Sequence, residues 1–70
     1  MSHSHTFHNL EVTHIVWEHT TDPFYPYRAI LDGNVLCIRL NDFPEEPLYS
    51  LLIDTIEIAD FDEWPRLWIR

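Results

Sequence analysis

Residues 29–40 read AILDGNVLCIRL, two apolar runs parted by Asp32-Gly33. Asp-Gly between apolar runs is the strongest short-range hairpin signal, because a type I′ turn needs φ > 0 at both central residues. Gly33 is the chain's single glycine, and it stands where only glycine takes up that backbone cheaply. Parity then sets the loop length. Tyr25, Tyr27, Ala29 and Leu31 alternate along the incoming run, and Leu36, Ile38 and Leu40 along the outgoing one. A two-residue loop brings both sets onto one face, whereas a three-residue loop splits them.

The same pattern recurs downstream. LYSLLIDTIEIADF, residues 48–61, forms a second hairpin about Asp54-Thr55, with Tyr49, Leu51 and Ile53 sharing a face with Ile56 and Ile58. Thr55 is β-branched and resists φ > 0, so the turn type stays open at this level. The prolines of DFPEEP, residues 42–47, make that stretch the connection between the hairpins. Upstream, LEVTHIVWEHT (10–20) is rich in β-branched and aromatic residues and reads as a further strand, after which Thr21-Asp22-Pro23 turns the chain. At the other end, Trp64, Leu67 and Trp68 fall at i, i+3 and i+4, one helical face. Pro65 holds Trp64 away from helical angles, so the spacing predicts one short α or 3₁₀ turn, capped by Asp60 or Asp62, whose tryptophans lid the sheet.

The predicted fold is mainly β: a small antiparallel sheet of four to five strands, a meander of hairpins, curled or partly closed, with a short C-terminal helical turn. Residues 1–9, MSHSHTFHN, are polar and without a period, and read as a flexible histidine-rich tail. Residues 10–70 read as a single small β domain.

Composition narrows the function classes. A chain of 70 residues is one domain that buries only about 60% of its unfolded surface. The single cysteine, Cys37, excludes an intramolecular disulfide. The formal charge is −8, and all four bases are arginines: Arg28, Arg39, Arg66 and Arg70. Nucleic acid binding needs a basic footprint that this chain lacks, and anionic membrane surfaces are disfavoured for the same reason. No apolar run approaches the ~20 residues of a membrane span, and the start lacks the basic and apolar regions of a secretory signal, which makes a cytoplasmic location the expectation. A basic protein is the electrostatically permitted partner, and solubility alone is an equal explanation of so acidic a chain.

Each candidate chemistry has a plainer alternative. Asp60, Asp62 and Glu63 form DxDE, a hard-oxygen set suited to Ca²⁺ or Mg²⁺, but the glycine and closing glutamate of a calcium loop are missing, so capping and a solvated edge explain them better. A glycosidase-like pair of acids needs a cleft that so small a domain has little room to build. His3, His5, His8, His14 and His19 all lie in the first nineteen residues, and imidazoles suit Zn²⁺, Cu²⁺ and Ni²⁺. A metal-binding or metal-sensing role through His3, His5 and His8 is therefore the alternative reading, set against a tail that must order itself to bind. His14 and His19 differ in parity, so one strand does not aim both the same way. Cys37 needs an activating base to be a nucleophile, and within a strand it reads as a small buried hydrophobe. No GxSxG frames a serine, and one glycine cannot make a phosphate loop or dinucleotide fingerprint. Neither enzyme activity nor a cofactor has a motif behind it.

What remains is acid and aromatic. DTIEIADFDEW, residues 54–64, holds five carboxylates and no base, and residues 42–63 hold eight of the twelve acids. Like charges so concentrated repel one another, so a face for a cationic partner is the sharper explanation, with mere solubility as the plainer one. Tyrosine, tryptophan and arginine are enriched at binding hot spots, though in so small a domain the aromatics also serve to fill the core. The reading is a non-enzymatic acidic interaction protein, of immunity, inhibitor or accessory-subunit type. It would bind a basic protein through Asp42, Glu45, Glu46, Tyr49, Glu57, Asp60, Asp62, Glu63, Trp64 and Trp68. Weak homodimerisation through an edge strand or the tryptophan lid is compatible with it.

Overall fold

The computed structural model describes residues 7–70. In chain order its elements are helix α1 (Phe7–Glu11) and strands β1 (Ile15–Val16), β2 (Glu18–His19), β3 (Tyr27–Leu31), β4 (Asn34–Leu40), β5 (Tyr49–Ile53), β6 (Ile56–Phe61) and β7 (Trp68–Ile69). Strands β2 to β6 form one antiparallel sheet in sequence order, an open meander with β2 and β6 at its edges. The sheet does not close on itself.

The central hairpin is the one that Asp32-Gly33 predicts. Leu31 pairs with Asn34 and Ala29 with Leu36, across a two-residue loop. Both loop residues have positive φ, 53° at Asp32 and 79° at Gly33, the signature of a type I′ turn. A Cβ added at Gly33 meets nothing within 4 Å, so backbone angle rather than space demands the glycine. The strand begins at Tyr27, which leaves Tyr25 in the preceding loop. There Thr20 and Asp22 accept backbone N–H bonds from Asp22 and Phe24, tying the turn at Thr21-Asp22-Pro23.

Three expectations need correction. The stretch 10–20 is not one strand. Phe7 and Leu10 stand at i and i+3, and burying them on one side draws Leu10 and Glu11 into α1. The helix thus starts within the segment read as a tail. Beyond it, Trp17 divides β1 from β2 at the point where the chain crosses from a separate parallel pair, β1 with β7, into the large sheet. The C-terminal helical turn is likewise absent from the described residues. Trp68 N–H reaches Pro65 O at 3.1 Å to close a single turn, and the chain then extends as β7. The groups a helix would use internally pair with β1 instead, Ile15 N–H to Leu67 O at 3.3 Å and Trp17 N–H to Ile69 O at 2.7 Å. Asp62 caps no helix, because its carboxylate accepts Leu48 N–H at 2.8 Å.

The third correction is in the second hairpin. Leu52 pairs with Glu57, but Leu51 pairs with Ala59, so Ile58 is an extra residue in a bulge. One extra residue flips the parity of all that follows. Ala59 and Phe61, rather than Ile58, continue the face of Tyr49 and Leu51.

One face of the sheet carries the core. Leu36, Ile38 and Leu51 are fully buried beneath α1 and the β1–β7 pair, with Leu10, Ile15, Trp17, Phe61 and Trp68. Seven of the ten aromatic residues join one ring cluster here, with Trp68 at 5.1 Å from Trp17, 5.5 Å from Trp64 and 5.6 Å from Phe61. Buried indoles need acceptors. Trp68 Nε1–H donates to Leu10 O at 2.8 Å and Trp64 Nε1–H to Trp68 O at 2.9 Å, while Trp17 Nε1–H finds no acceptor among the described residues.

Candidate interaction surface

Strand alternation sorts the acidic segment from the aromatic one. Tyr49 lies opposite Phe61 on the core face, whereas Glu57 and Asp60 lie opposite Leu52 and Ser50 on the reverse face. The expected single acidic and aromatic face is therefore divided between two sides of the sheet. Trp68 is 3% exposed and belongs to the core, out of a partner's reach. Tyr49 and Trp64 are half-buried, and Arg70 covers them, its guanidinium 4.5 Å from the Trp64 ring and bonded to the Tyr49 hydroxyl at 3.3 Å.

The acids, by contrast, are all at the surface. Asp42, Glu45 and Glu46 sit in the loop between β4 and β5, Glu57 and Asp60 on β6, and Asp62 and Glu63 in the bend that follows. The bond from Leu48 N–H to Asp62 ties the loop to the end of β6, which gathers most of these carboxylates at one end of the sheet. Several have structural tasks. Glu57 meets Arg39 Nη2 at 2.8 Å, and Glu46 accepts the Asp42 N–H at 3.2 Å. Arg39 also donates to Ser50 Oγ at 3.2 Å and Asn41 Oδ1 at 3.0 Å, and Asn41 in turn donates to Ser50 Oγ and Pro47 O. This network on the reverse face pins the loop that presents the acids. An exposed ion pair contributes only about 0–1 kcal/mol, so the network positions more than it stabilises. The side chains of Asp42, Glu45, Asp60 and Glu63 bond to none of the described residues.

The sequence reading missed the apolar members of this surface. Phe43, Ile56 and Ile58 are 58%, 65% and 39% exposed, among the acids of the loop and of β6. Phe43 was legible as an apolar residue in a polar loop. Ile58 was not, since only the bulge turns it out.

The other candidate centres are plainer. Cys37 lies opposite Arg28 in the floor of a reverse-face groove of about 390 Å³, walled by Tyr25, Leu52 and Thr55. Burial pushes its thiol up from the ordinary 9.0 and Arg28 offsets this only in part, so at neutral pH it is a protonated thiol rather than an activated nucleophile. His3 and His5 fall outside the described residues. His8 sits on α1 with Nδ1 3.8 Å from Glu11, and among the described residues no group of three or more His, Cys, Asp or Glu is arranged to hold a metal. No helix among them is long and apolar enough to cross a membrane. No family model, curated protein or solved structure matches this chain.

Proposed function

We propose that this chain is a non-enzymatic interaction protein that binds a basic protein partner, in the manner of an immunity, inhibitor or accessory subunit. One observation carries the reading. The side chains of Asp42, Glu45, Asp60 and Glu63 stand exposed on a loop and strand end that are tied together, without a bonding partner among the described residues and with Phe43 exposed in the same loop. Crowded carboxylates repel one another, and a cationic partner relieves that repulsion. The apolar side chains supply contact area once the charges have steered the encounter. The binding residues on this reading are Asp42, Glu45, Asp60 and Glu63 with Phe43, Ile56 and Ile58. Glu46, Glu57 and Asp62 shape the surface through their own bonds.

The test is kinetic. A partner recovered from the source cell is measured for association and dissociation at several salt concentrations. Steering acts over about 8 Å at 0.15 M ionic strength, so association should slow as salt rises. Reversal to lysine at Glu45, Asp60 and Glu63 together should slow association about tenfold or more at low salt and leave the melting temperature unchanged. Truncation of Phe43 to alanine should act on dissociation. An association rate indifferent to both salt and the reversals would reduce the acids to a solvated rim.

A further inference from the structure

We infer that the outer edge of β6 takes up an extended, alternating basic and apolar segment of the partner as a sixth strand of the sheet. The inference rests on the acidic-interaction reading above and specifies the shape of the partner.

The backbone comes first. Val35 O accepts Asp54 N–H at 2.8 Å, so Val35 turns its main chain towards β5, and so do Cys37 and Arg39, two and four residues on. Their β5 partners, Leu52 and Ser50, must face back to β4. The β6 residues opposite these, Glu57 and Asp60, therefore turn N–H and C=O away from β5. Among the described residues no strand pairs with that side, and no backbone bond from another element reaches it. An open row of donors and acceptors is a template for another strand.

Chemistry selects the occupant. A second copy of β6 would set the carboxylates of Glu57 and Asp60 against their own kind, which disfavours self-pairing, and the bulge at Ile58 bends the edge away from a flat match. A basic strand has the opposite sign. Its cationic side chains would lie on the reverse face beside Asp60, with Asp62 and Glu63 just beyond, while Glu57 already shares Arg39. The alternate side chains would fall on the core side beside Ile56, which is 65% exposed and calls for apolar neighbours.

The full-length protein is titrated with an eight-residue peptide of alternating lysine and valine, and amide hydrogen exchange is followed by NMR. On saturation the amides of Glu57 and Asp60 should exchange about tenfold more slowly or better, with the other edge, β2, unaffected. Two further peptides carry N-methyl groups on alternate residues, one for each parity; both keep the charge. The version whose methyl groups face β6 should lose at least about tenfold in affinity, since it cannot donate to the edge. If both methylated peptides bind as well as the parent, or the parent binds without protecting Glu57 and Asp60, strand addition is overturned while the acidic-interaction reading stands. If none of the three binds, strand addition falls, and if polylysine also fails to bind at low salt, the acidic-interaction reading falls with it. Protection of the same two amides without any peptide would show the edge already covered, by a second copy if it depends on concentration and by the chain itself if not, and would overturn the inference too.

Discussion

Asp32-Gly33 and Asp54-Thr55 make the same two-residue turn, with φ of 53° and 79° in the first and 49° and 71° in the second. Their support differs. In the first, the glycine meets the backbone requirement alone. In the second, a β-branched residue sits in the left-handed region, a conformation that costs of order 1–3 kcal/mol and persists only where the surroundings over-determine it. The surroundings here are Val35, which accepts the N–H of Asp54 at 2.8 Å and donates its own N–H to the Asp54 carboxylate at 2.9 Å. One turn is specified by its own residues and the other is clamped onto the strand that leaves the first. Local chemistry and tertiary contact thus reach the same geometry by different routes, and only the local route can be read from a short stretch of sequence.

The difference extends into the strands, and substitutions can sharpen or break it. The largest effect is expected at Leu36, fully buried in the first hairpin, where alanine should cost about 2–5 kcal/mol in urea unfolding. Leu51, the inward residue where the second hairpin joins β4, should behave alike. If Leu36→Ala proves as mild as a surface change, the core does not lie where the aromatic layer covers it. Next comes Gly33→Val, expected to cost about 1–3 kcal/mol because it forces positive φ on a residue that resists it. An unchanged urea midpoint would remove the first half of the comparison. Thr55→Gly tests the second half with the opposite sign. Relief of the left-handed strain should raise stability by up to about 1 kcal/mol, offset in part by the freedom glycine gains in the unfolded chain. A loss of stability there would mean that Thr55 is not strained. The smallest effect belongs to Ile56→Ala, which should stay within about 0.5 kcal/mol since its side chain faces solvent, and should register in partner binding instead.

Legibility follows the same division. Asp32-Gly33 and the alternation around it were sufficient for the central hairpin, its register and its inward face. The position of the second turn was legible from parity, but its type was not, because Val35 lies 19 residues from Asp54. The bulge at Ile58 has no local mark and emerges only from the pairing with Leu51 and Leu52, so the outward placement of Ile58 was hidden. Phe7 and Leu10 do show helical spacing, but a single i, i+3 step is too short to announce a helix. The acids were readable as exposed, since charge is seldom buried unpaired. The burial of Trp68 was not legible, because it depends on β1 and on Leu10, 58 residues earlier.

That last contact has a consequence for how the chain comes into being. The cover over the aromatic layer is made from both ends of the described chain: α1 and β1 from the first residues, β7 from the last. A nascent chain can pair its two hairpins as soon as each leaves the ribosome, because their contacts are local. It cannot seat Trp68 against Leu10 until Trp68 itself has emerged, so every translation intermediate short of that residue carries the indole of Trp17 and the ring of Phe61 without their cover. Completion of the core therefore waits on β7, and the growing chain is most exposed to aggregation until that strand has appeared.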